Sequence, residues 1–209
     1  MWPQSGLNKK TPTTKDMTMR LILLFLPLLA VYSTAHADWQ LNNARSELSF
    51  VATKDARVAD NHYFTRLSGS VSSSGEAELL IDTASVETNI AIRDRRLRNI
   101  LFRIAEYPQA KVNLSVRAGL LKPQPAGSVQ YTNVNAQLFM VGATQLQTAR
   151  LAIYHLADGA VEVSTIEPVL VDSEDFGLLP AVNQLREMAG LKSLTIKVPV
   201  SFRLVFEAK

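Results

Sequence analysis

Leu194-Thr195-Ile196-Lys197-Val198-Pro199-Val200-Ser201-Phe202-Arg203-Leu204-Val205-Phe206 carries an apolar side chain at every second position. The residues between are polar or suit an exposed edge, and only Val205 departs from the pattern. A period of two belongs to a β-strand with one face against an apolar interior and the other against water. The run exceeds the usual strand of about 5–6 residues and is long enough to cross the whole wall of a barrel.

Shorter stretches of the same kind precede it. They are Glu47–Ala52, Phe64–Val71, Glu76–Ile81, Ala110–Val116, Val134–Met140, Leu146–Tyr154 and Val161–Ile166. Turn formers separate them: Ser72-Ser73-Ser74-Gly75, Lys122-Pro123-Gln124-Pro125, Val141-Gly142 and Asp158-Gly159. With the last strand this makes about eight, joined by turns short enough for antiparallel neighbours. Two segments read as helical. Ile90–Leu101 follows the candidate cap Thr88-Asn89, and Ala181–Ala189 lies between Pro180 and Gly190. The expected fold is mainly β, a closed eight-stranded antiparallel barrel with one or two short inserted helices, and a two-sheet sandwich is its rival.

The amino terminus reads as a secretory leader. A basic stretch ends at Arg20, an apolar run follows from Leu21 to Val31, and Ala35-His36-Ala37 precedes Asp38. Pro27 interrupts the apolar run, which falls short of the ~20 residues that span a bilayer. The expectation is a signal peptide over 1–37, cleaved after Ala37, and one domain over 38–209. Translation starting at Met17 or Met19 fits equally well.

The whole chain has 22 basic and 19 acidic residues; residues 1–37 hold four of the former and one of the latter, which leaves a balanced domain. A balanced surface argues against nucleic acid as a partner. There are no cysteines, which excludes disulfides, thiolate metal sites and thiol chemistry.

Ser85-Val86-Glu87-Thr88-Asn89, Arg93-Asp94, Leu97-Arg98, Leu101-Phe102, Tyr107-Pro108 and Ala110 follow one another in an order that resembles the signature segment of the YceI-like family. Asp175-Phe176-Gly177 is similar to that family's later Asp-Phe-Gly turn. The resemblance runs from Trp39 to Phe206. Two places depart from the pattern. Gly142-Ala143-Thr144-Gln145-Leu146 lacks the family's basic-proline pair, and Ser173-Glu174 stands where a basic residue often precedes the Asp-Phe-Gly.

The resemblance implies a lipocalin-like extended barrel whose lumen binds an isoprenoid lipid or quinone in the periplasm, often as a homodimer. It implies no other cofactor, and transient membrane contact is the other expected partnership. The inward strand positions are the candidate lumen residues: Phe50, Leu79, Ile81, Val112, Leu114, Leu138, Met140, Ile196, Val198, Val200 and Phe202. An alternating apolar face can equally be the solid core of a filled barrel.

Among the arginines at 93, 95, 96 and 98, Arg95 and Arg96 are candidates for an anionic headgroup, because guanidinium forks suit phosphate oxygens. Arg93 and Asp94 read better as structural anchors. Catalysis finds little support. His62 and His155 are far apart in sequence, with His62 beside Tyr63 and Phe64 at a strand start and as readily a loop or barrel-mouth residue, and no metal pair is expected. No serine sits in a Gly-x-Ser-x-Gly elbow. The alternatives to a lipid carrier are an interaction domain with a filled barrel and an enzyme acting on an isoprenoid lipid.

Overall fold

The computed structural model describes residues 37–209 except 118 and 121; most of the expected leader lies outside the described residues. Twelve strand segments form one antiparallel sheet. They are β1 (Ala37–Leu41), β2 (Glu47–Lys54), β3 (Val58–Phe64), β4 (Leu67–Ser72), β5 (Glu76–Asp82), β6 (Val86–Glu87), β7 (Gln109–Ser115), β8 (Val129–Met140), β9 (Ala143–His155), β10 (Val161–Thr165), β11 (Val169–Asp172) and β12 (Lys197–Ala208). The helices are α1 (Ala91–Arg96), which runs into a π-helical turn (Leu97–Leu101), and α2 (Leu179–Met188).

The circuit β1-β4-β5-β7-β8-β9-β10-β12 closes where β12 returns to β1, with Trp39 opposite Ala208 and Leu41 opposite Phe206. It is an eight-stranded antiparallel barrel. The other four segments prolong its staves toward one end. β2 pairs with the first half of β12, β3 with β2, β6 with β3, and β11 with the opposite edge of β12.

Each break within a stave has a local cause. Between β1 and β2 the Asn42 side chain accepts from the Ala44 N–H and starts a 3-10 turn over Asn43–Arg45, and Ser46 Oγ accepts from Val205 N at 2.9 Å. Between β5 and β6 the Asp82 carboxylate does the same for Ala84. At Thr65-Arg66, between β3 and β4, the backbone N–H groups leave the ladder and bond to Ser85. Pro168 lacks the N–H that would carry β10 directly into β11. The single strand expected over Phe64–Val71 is therefore the end of one segment and most of the next.

The tightest packing lies at the end of the barrel where β1 and β10 meet β12. Leu41, Leu67, Val71, Leu204 and Phe206 are buried together there, and Leu120, Ile153 and Val161 close the adjoining wall. The helices lie at the other end, where Phe176 and Leu178 pack against Val141 of the β8–β9 turn.

Candidate functional site

Each stave turns alternate side chains inward, and the barrel is wider than those side chains can fill. They leave an internal cavity of about 260 Å³. Its wall is almost entirely aliphatic and aromatic. Phe50 from β2, Leu79 and Ile81 from β5, Val112 and Leu114 from β7, Leu138 and Met140 from β8, and Val198, Val200 and Phe202 from β12 all line it.

Ile196 does not. β12 begins one residue later, and Ile196 stands on a bend whose carbonyl accepts from Ser173 N at 2.8 Å, leaving the side chain 38% exposed. The alternation is present in the sequence where the strand has not yet begun.

Sequence reasoning missed Val163 on β10, Val169 and Val171 on β11, and two further parts of the wall. One is the inner face of β9, with Gln147, Ala149, Leu151 and Ile153 inward, whereas Leu146 points out and is 66% exposed. The apolar residue at the end of the run therefore suggests the wrong face. The other is the contribution of the helical end, where Leu101 and Phe102 from the π-helical turn and Leu178 ahead of α2 meet the lumen. The helical periodicity of Ile90–Leu101 was its only available signal.

Burial grades along the cavity. On β12, Leu204 and Phe206 are buried, whereas Val198, Val200 and Phe202 are only half-buried; on β9, Leu151 and Ile153 are buried and Ala149 is not. On β5 and β7 the order is reversed, with Ile81 and Ala110 buried and Ala77, Leu114 and, just past β7, Val116 half-buried. Few polar groups reach it. Thr132, Gln147 and Ser173 are among them, and Thr83 uses its hydroxyl to donate to Tyr107 O at 3.0 Å.

The helical end is held by a buried polar cluster. Arg93 pairs with Asp60 at 2.9 Å and donates to Thr88 O at 2.9 Å, while Asp94 accepts from Thr88 N at 2.9 Å and Thr88 Oγ1 at 2.5 Å. Arg98 donates to Val86 O at 2.9 Å. These bonds fasten α1 and the turn after it to β3 and β6. Hydrogen bonds from Lys54 and Arg93 hold the Asp60 carboxyl below its ordinary pKa.

His62, expected at a strand start or in a loop or barrel mouth, is instead buried within β3, edge-on to Phe50 with ring centroids 5.2 Å apart. Its strand was not recognised, because Asp60, Asn61 and His62 interrupt any apolar alternation. Burial, then the charge of Arg93, lowers its pKa. His155 is buried on β9 within 3.1 Å of Gln130. Arg95 and Arg96 line no part of the cavity. Arg95 is exposed on α1, and Arg96 Nη1 donates to Met188 O at 3.4 Å, at the end of α2.

The two departures noted in the sequence meet at this end. Val141 and Gly142 turn the chain with φ of 48° and 85°, and Gln145 Nε2 donates to Asp175 O at 2.6 Å. The β8–β9 hairpin is thereby tied to the turn at Asp175-Phe176-Gly177.

Comparison with known proteins gives a consistent result. The family model described as the YceI-like domain matches residues 39–206. Among solved structures, a polyisoprenoid binding domain from Saccharophagus degradans, implicated in plant cell wall breakdown, is 33% identical with a TM-score of 0.80, over 83% of this chain and 100% of that one. BcnA of Burkholderia cenocepacia is 20% identical with a TM-score of 0.62, over 79% of this chain and 98% of that one, a likeness of fold. No curated protein matches the sequence.

Proposed function

The chain belongs to the YceI-like domain family, and from that premise we propose that it is a binding or carrier protein that holds the hydrocarbon tail of an isoprenoid lipid in its lumen. The observation that carries this reading is the cavity itself, about 260 Å³ bounded almost wholly by apolar side chains from every side of a closed barrel. Withdrawing hydrocarbon from water into such a space gains roughly 0.8 kcal/mol for each CH₂. A long prenyl tail therefore binds without a polar partner along its length. The polyisoprenoid binding domain named above supports the ligand class.

We read the activity as binding rather than catalysis. The polar residues at the wall are scattered hydroxyls, one amide and Glu78, whose carboxylate is paired with Lys111, and among the described residues no free base stands beside a nucleophile. An interior cavity also weighs against the alternative of a filled barrel acting only through its surface. We place the protein in the periplasm, where a leader over residues 1–37, cleaved after Ala37, would deliver it; the support is the leader's sequence pattern.

The test is native mass spectrometry of protein purified from its own envelope fraction, followed by organic extraction of what it releases. A stoichiometric prenyl lipid or quinone is the expected result, and the same spectrum reads the number of protein copies. A clean apo mass that takes up no added isoprenoid overturns the proposal.

A further inference from the structure

The helical end of the barrel carries, on its outer surface, a set of side chains that the lumen does not use. Val58, Ile90, Ile92 and Met188 are each 46–52% exposed there. Around them stand Arg57, Arg95, Arg96 and Lys192, and none of these four forms an ion pair among the described residues.

Hydrogen bonds join the segments that bear them into one surface. The Asp55 carboxylate in the β2–β3 turn accepts from Lys192 N at 2.7 Å and Ser193 N at 3.0 Å, in the loop after α2. Arg93 ties α1 to Asp60 on β3, and Arg96 reaches Met188 O at the end of α2. On α1, Ile92, Arg95 and Arg96 stand at the i, i+3 and i+4 spacing that shares a helix face.

Glu174 and Asp175 lie ahead of α2, exposed and without an ion pair among the described residues, whereas the acids on the segments that bear the patch are engaged. Asp55 caps backbone, Asp60 is paired with Lys54 and Arg93, Asp94 is buried against Thr88, Glu87 accepts from Asn89 N, and Glu187 pairs with Arg186. The charge left on those segments to meet a partner is positive.

We infer that this end of the barrel docks on an anionic phospholipid surface. Aliphatic side chains half out of the protein, ringed by unpaired cations, match a bilayer interface: the apolar groups enter the headgroup–acyl boundary and the cations meet lipid phosphates. The contact sets the helical end of the barrel against the membrane, where Leu101 and Leu178 belong to the lumen wall. It rests on the lipid-binding reading only for its purpose, since docking does not require a filled lumen.

The chain has no cysteine, so a single introduced thiol is a unique label. An environment-sensitive fluorophore is attached to Ile92→Cys and, separately, to Tyr131→Cys on the outer face of β8. Each protein is titrated with vesicles of phosphatidylcholine alone or with phosphatidylglycerol. A blue shift at Ile92 with anionic vesicles only, lost at high salt and absent at Tyr131, is expected. Adding Arg57→Gln, Arg95→Gln and Arg96→Gln to the Ile92→Cys protein weakens apparent binding by about fivefold per cation, roughly a hundredfold in all.

No shift at Ile92, equal shifts at both labels, or an affinity unchanged by the three glutamines overturns the inference. A shift elicited as well by soluble polyglutamate also overturns it, in favour of an acidic protein. Circular dichroism melts show whether the substitutions leave the fold intact, and extraction of bound lipid from the same proteins reads the lumen separately.

Discussion

His62 is an imidazole enclosed within β3, and its surroundings favour the neutral form. Burial and the Arg93 charge hold its pKa below the ordinary 6.5. The unfolded chain therefore takes up this proton at a higher pH than the folded one. The stability that His62 contributes is full above the ordinary value and is lost as pH falls toward and through the folded pKa. His62→Gln is expected to flatten the decline of Tm between about pH 7 and 5, as scanning calorimetry in a buffer series would read. Asp60 acts in a separate window, because its depressed pKa keeps its contribution whole down to the ordinary carboxylate value and loses it only as pH falls below that, through the folded pKa. That lower decline should persist in the variant. Asp94 makes a second residue-scale case: Asp94→Ala leaves Thr88 N and Oγ1 without their buried acceptor. The expected cost is about 1–3 kcal/mol, measured by urea unfolding.

Among the elements, β12 was legible and β3 was not, for reasons that lie in what each buries. The inward face of β12 meets hydrocarbon, so its sequence alternates cleanly. β3 turns Asp60 and His62 toward α1 and leaves Val58, Ala59 and Asn61 exposed, so a strand of which only His62 is buried reads as a polar loop. β11 follows Pro168 and is four residues long, too short for a period to register. The π-helical turn after α1 was hidden within an ordinary helical pattern. The β8–β9 turn carries its own prediction. A Cβ at position 142 would stand 2.9 Å from the Tyr107 hydroxyl, in a backbone conformation with φ of 85°. Gly142→Ala should therefore destabilise the protein by at least the ~1–2 kcal/mol of a left-handed residue, seen as a lower urea midpoint. On β12, Val200→Asp sets a carboxylate in the apolar lumen and is expected to abolish lipid retention or folding; retention at the parent level would show that this strand does not bound the site.

At the scale of the molecule, barrel closure and the parity of most wall residues could be read in advance, because an apolar face follows directly from period two. The depth of the lumen could not, since it depends on how far the wall's side chains reach across and on which helix-end residues close it. Ala149 makes that distinction testable. It lines the cavity from β9 with a small side chain. Ala149→Trp should occupy lumen space, eliminating extractable lipid while Tm holds or rises, a pairing that a merely damaged fold would not give.

The last strand has four partners, β1 and β2 along one edge and β10 and β11 along the other. Two of those partners lie near the opposite end of the chain, with Trp39 opposite Ala208. Every earlier stave can pair with its neighbour as it emerges, but the ring stays open, with two unsatisfied edges and its greasy interior bare, until residues 197–208 arrive. Contacts of such long sequence separation slow folding and leave aggregation-prone intermediates in the meantime. A chain stopped just short of Lys197 would be a nearly complete sheet with nothing to hold it shut. During biosynthesis, then, the ring can close only once its final stave has been made.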